Sequence, residues 1–123
     1  MNIDILSSLL ACKANQHNFY KLLSTIDYTE QRLIASNKDT SANILTVLSG
    51  SKNSWVRSSV AYNPSTPNDI IAKLSADTAV IVREAVALNT STPIEILTIL
   101  FNDKDSYIRK VAYENGVKRS YKF

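Results

Sequence analysis

The sequence predicts an all-α fold: a short α-solenoid of about four two-helix repeats of 26 residues, behind an N-terminal capping helix. Three observations predict it. Residues recur at a spacing of 26: Asn37, Asn63, Asn89 and Asn115; Thr40, Thr66 and Thr92; Ile44, Ile70 and Ile96; Leu48, Leu74 and Leu100; Arg57, Arg83 and Arg109. Self-similarity at such a period is the mark of stacked repeats. Within each period, apolar residues fall three and four apart, as on one face of a helix, and not two apart as on a strand. Helix-opening residues also recur, as Thr66-Pro67 and Thr92-Pro93.

The chain has 123 residues, the length of one domain. Its 45% hydrophobic content fills a core, and no apolar run approaches the ~20 residues of a membrane span. The N-terminus carries Asp4 and no basic region, so no signal peptide is expected. The single cysteine, Cys12, excludes an internal disulfide and fits a reducing, cytoplasmic setting. Abundant Asn, Ile, Lys and Tyr point to an AT-rich genome such as that of a phage or plasmid. Net charge is +3, but Lys118, Arg119 and Lys122 place that whole excess in residues 117–123. The body is therefore neutral, which argues against a phosphate-binding groove along its length.

Taken in order, residues 3–11 hold Ile5, Leu6, Leu9 and Leu10 at helical spacing and form the cap, 1–12. The first repeat, 13–36, is degenerate: Phe19, Leu22 and Leu23 fill one helix, and Asp27 with Glu30 opens a second that runs into Leu33, Ile34 and Ala35. The second, 37–62, places Thr40 as N-cap of a helix burying Ile44, Leu45 and Leu48, with Gly50 just past its end. Its second helix starts near Ser54 and buries Val56, Ser59 and Val60. In the third and fourth, 63–88 and 89–116, Thr66 and Thr92 are the expected N-caps, with proline at the first helical position and Asp69 or Glu95 in the first turn. These helices bury Ile70, Ile71 and Leu74, or Ile96, Leu97 and Leu100; their partners bury Val82, Ala85 and Val86, or Ile108, Val111 and Ala112. Asn115-Gly116 should end the last helix, leaving 117–123 as a basic tail after a domain spanning 1–116. Helices this short do not persist alone in water, so stacking must stabilise them.

The pattern N-P-S-T-P-x-x-I-I-x-x-L-x-x-D-x-x-x-x-V-R-x-x-V-A, as it stands from Asn63, resembles the leucine-rich repeat variant family, akin to HEAT repeats. The resemblance covers residues 37–115 and touches the first repeat weakly. It implies a right-handed superhelix of alternating helices and short or 3₁₀ helices. Some members carry an N-terminal cysteine cluster holding an iron–sulfur centre; with Cys12 alone, that feature should be absent here, and no cofactor is expected. The family defines no single activity, so the resemblance implies binding only by analogy.

Arg57, Arg83 and Arg109 read in two ways: as a basic stripe for phosphate, or as structural ion pairs, since Asp77 precedes Arg83 by six and Asp103 precedes Arg109 by six. The structural reading is expected for Asp77, Arg83, Asp103 and Arg109; Ser51 faces Arg57, which is expected to be free. A second row lies on the non-core face of the second helices: Trp55, Ser58 and Tyr62; Ile81, Glu84 and Leu88; Tyr107, Lys110 and Glu114. Trp55, Tyr62, Ile81, Leu88 and Tyr107 then line up as a partner-binding patch, or else fill inter-repeat grooves or a homodimer contact. His17 and Cys12 cannot build a zinc site by themselves. Asp103-Lys104-Asp105 could resemble a metal-binding pair, but Asp103 is expected on Arg109, and Asp105 or Ser106 at the helix start. No nucleotide-binding or hydrolase motif occurs, and no catalytic or metal-binding residues are assigned.

The expected function is a non-enzymatic protein-binding module, an adaptor or inhibitor, acting through the exposed face of the second helices. The alternative is nucleic-acid binding through Arg57, Lys73, Lys110, Lys118, Arg119 and Lys122.

Overall fold

The structure is a computed structural model that describes residues 21, 23 and 25–120, without the side chain of Ser120. The expected capping helix over 3–11, Cys12, His17, Phe19, Leu22 and Lys122 lie outside the described residues. Seven helices and no strand occur among the described residues: α1 (Tyr28–Ser36), α2 (Ala42–Leu48), α3 (Ser54–Tyr62), α4 (Asn68–Leu74), α5 (Val80–Leu88), α6 (Ile94–Leu100) and α7 (Ser106–Ser120). Seven-residue helices alternate with nine-residue ones until the final helix, which has 15. The first helix of each pair is thus the shorter one.

The longer helices pack on one another in succession, α1 on α3, α3 on α5, α5 on α7, and the short helices fill in beside them. Alanine makes that close stacking possible: Ala35, Ala61 and Ala87 are fully buried at one 26-residue spacing. The next position in the series is Tyr113, which no described helix covers; it is exposed and meets Phe101 edge-on at 5.7 Å. The core is the expected one, with Ile44, Leu45, Leu48, Ile71, Leu74, Leu97 and Leu100 from the short helices and Val56, Val60, Val82, Val86 and Ile108 from the long ones. Leu33 is exposed, and Ser59, expected inside, is only half-buried.

The helix ends correct the threonine assignment. Thr40, Thr66 and Thr92 are buried, and each Oγ1 donates to a carbonyl of the preceding long helix: Ile34 at 2.6 Å, Val60 at 2.6 Å and Val86 at 2.7 Å. They finish one helix rather than start the next. The N-cap of α2 is Ser41, whose Oγ accepts from the Ile44 N–H, and those of α4 and α6 are Pro67 and Pro93, which make no side-chain cap and stand one position before the first helical residue, the place expected for them. Proline lacks the N–H that would otherwise need a partner there. The carbonyls left over at a helix C-terminus must also be satisfied. An asparagine one repeat later does this: Asn63 Nδ2 donates to Ala35 and Asn37, Asn89 Nδ2 to Ala61 and Asn63, and Asn115 Nδ2 to Ala87 and Asn89. These helices therefore close without a left-handed residue; no described residue, Gly50 included, has a positive φ.

The last helix does not stop at Asn115-Gly116. It runs on to Ser120, because the Pro-Ser-Thr or Thr-Ser-Thr that ends α3 and α5 is replaced by Gly-Val-Lys. A Cβ on Gly116 would sit 3.3 Å from the Phe101 ring, so glycine lets the helix pass that ring. One turn later Arg119 reaches back to the carbonyls of Asn89 and Thr92.

Candidate interaction face

Stacking the long helices brings together residues 26 apart. Along α3, Trp55 and Tyr62 stand two turns apart, roughly 10 Å by helical rise, with the small Ser58 and Ser59 between them. On α5 the same positions are Ile81, Leu88, Glu84 and Ala85; on α1 they include Arg32 and Ser36. Together these residues line a groove of about 480 Å³. Trp55 and Tyr62 are 54% and 59% exposed, Leu88 is 38% exposed, and Ile81 is half-buried against the core. The structure thus unites four of the five residues read as a patch. Tyr107 lies outside the groove lining, exposed on α7.

Arg32 lies over the Trp55 ring, 5.4 Å from its centroid. Such a contact holds a cation on an aromatic face without neutralising it. The side chains of Glu84 and Lys110 make no hydrogen bond or ion pair among the described residues. Sequence reasoning overlooked Arg32 because the first repeat is degenerate; its distance of 26 from Ser58 was the available signal.

The arginine row is built differently from expectation. Arg57, read as free, clamps Asp77 of the next repeat, Nε to Oδ2 at 2.8 Å and Nη2 to Oδ1 at 3.2 Å. Arg83 clamps Asp103 likewise, at 2.9 and 3.3 Å. Asp77 and Asp103 do precede Arg83 and Arg109 by six, but there the arginines take main-chain carbonyls: Arg57 that of Ser51, Arg83 that of Asp77, Arg109 those of Asp103 and Lys104. The carboxylate pair therefore ties neighbouring repeats, and Arg109 meets no carboxylate among the described residues. Where the row loses its cation, at Gln31, the position 20 residues on is Ser51 rather than aspartate.

Burial by itself pushes the Asp77 and Asp103 carboxyls up. The guanidinium of Arg57 or Arg83, the N–H of Ala79 or Asp105, and the nearby arginine charges outweigh it, so both sit below the ordinary value. Asp105 accepts from the Tyr107 and Ile108 N–H groups as the cap of α7, as expected. No cluster of metal-ligating side chains occurs among the described residues.

The proposed phosphate contacts scatter. Arg57 is clamped, and Arg119 is turned inward to main-chain carbonyls, its basicity lowered by burial. Lys73 lies 3.5 Å from the Ser49 hydroxyl, and Lys110 and Lys118 are exposed. No described helix is long and apolar enough to cross a membrane. No protein-family model matches this chain, and neither a curated protein nor a solved structure compared with it does.

Proposed function

We propose that the protein is a non-enzymatic protein-binding module, an adaptor or inhibitor, built as a short right-handed superhelix of two-helix repeats like those of the leucine-rich repeat variant family. Its partner docks on the face of the long helices α1, α3, α5 and α7. The observation that carries this reading is the pair Trp55 and Tyr62, both more than half exposed at the two edges of one groove. Exposed aromatic rings rimmed by polar groups are the usual anchors of protein interfaces, because burying them removes a large apolar area from water.

The nucleic-acid reading has less support, since Arg57 and Arg119 are already engaged within the fold. Affinity capture from host lysate, with nuclease and at two salt concentrations, tests the choice. A protein retained by the native chain and lost with the double variant Trp55→Ala, Tyr62→Ala is the expected result. Recovery of nucleic acid alone, released by salt, would overturn it.

A further inference from the structure

The binding face is not uniform, and its layout indicates what kind of segment fits it. Three rows cross the stacked helices at the 26-residue spacing. One edge carries Trp55, Ile81 and Tyr107, and the other Tyr62 and Leu88. Between them runs a polar row of alternating charge: Arg32 on α1, Ser58 on α3, Glu84 on α5 and Lys110 on α7. Four of the apolar edge residues and the first three of the polar row line the groove together.

Apolar edges with a polar floor do not suit an amphipathic helix, whose apolar stripe must face the floor of its groove. They suit an extended chain. Its successive side chains point to opposite sides and so reach opposite edges, while its main-chain N–H and C=O groups, along the middle, need polar partners. The gap of roughly 10 Å between edges leaves room for one such chain. Packed helices lie ~8–10 Å apart, and an extended chain advances ~3.3 Å per residue. Arg32 and Glu84, two helices apart, are thus about five or six residues apart along it, and Glu84 and Lys110 about three.

Resting on the reading of this face as a binding surface, we infer that its occupant is an extended segment of a partner protein, laid across α1, α3, α5 and α7. The segment carries an acidic residue for Arg32, a basic residue about five or six positions away for Glu84, and a second acidic residue about three beyond for Lys110, with apolar side chains at alternating positions between.

Panning random displayed peptides of about 12 residues, long enough to cross all four helices, against the immobilised full chain tests this. Peptides enriched on the native protein over the Trp55→Ala, Tyr62→Ala variant should share the acid–base–acid spacing and alternating apolar positions. Arg32→Glu should weaken them by roughly tenfold, and adding Glu84→Arg should select peptides with the first two charges exchanged. Circular dichroism melting of each variant separates lost binding from lost folding. Enriched peptides with apolar residues three and four apart, peptides indifferent to the charge exchange, or no enrichment over the double variant would each overturn the inference. So would a native dimer in sedimentation that the aromatic double variant dissociates, since the face would then belong to a second copy. A lysate protein still captured through Trp55 and Tyr62 in any of the first three cases would leave the binding-module reading standing without the extended segment.

Discussion

Each repeat has two surfaces that differ in one respect: one repeats its residues and the other varies them. Asn63, Asn89 and Asn115 are the same residue because each performs the same task, donating to two carbonyls of the helix before. The buried threonines and the clamped arginines repeat for the same reason. On the groove side the corresponding triplets read Trp55, Ile81, Tyr107; Ser58, Glu84, Lys110; and Tyr62, Leu88, Glu114. Nothing inside the fold requires those residues to match. Where a repeat keeps a residue, the cause lies within the stack. Where it varies one on a solvent-facing groove, the stack does not fix the choice.

Substitutions can break this comparison. The largest effect is expected in the core: Leu97→Ala should destabilise by ~2–5 kcal/mol in urea unfolding, because it opens a cavity between stacked helices. Asn89→Ala follows. It strands the carbonyl of Ala61 and leaves that of Asn63 with the Thr66 N–H alone, at a site where Asn89 is 3% exposed, at ~1–3 kcal/mol for a group left without a partner. A loss there no greater than at an exposed asparagine would break the link between repetition and internal bonding.

Acid unfolding sharpens the same contrast. Asp77 and Asp103 have folded values below the ordinary 3.8, so their contribution is fully present above that pH and is lost as pH falls through the lowered values. The double variant Asp77→Asn, Asp103→Asn should lose stability at neutral pH and show a flatter decline below pH 4. The smallest effect on stability is expected for Trp55→Ala with Tyr62→Ala, within about 1 kcal/mol of the native chain, while the proposed function has it abolish capture of a partner.

Much of the fold was legible because the period shows directly: helix pairing, core positions and the starts of α3 and α7 follow from residues alone. The partners of polar side chains were not legible. Asp77 stands six before Arg83 and 20 after Arg57, and only the stacking geometry decides that its carboxylate meets Arg57. Thr-Pro looks like a helix start from the sequence, yet the hydroxyl turns back to the previous helix, to a carbonyl that also accepts the N–H of the asparagine closing that helix. Arg119 read as part of a basic tail because its acceptors, the carbonyls of Asn89 and Thr92, are main-chain groups that no motif displays. The groove was found in outline from the spacing of Trp55, Ser58 and Tyr62, but its α1 wall, with Arg32, was hidden by the degenerate first repeat.

The central claim, that the varied face is spare to the fold and open to a partner, is tested most directly through Trp55, the chain's single tryptophan. Acrylamide quenching of its fluorescence reads the accessibility of that ring in the intact protein. The account predicts strong quenching in the folded state, approaching that of the urea-unfolded chain, and protection when a groove-binding partner is added. A blue-shifted emission resistant to acrylamide in the free protein would place the ring inside the stack and contradict the account.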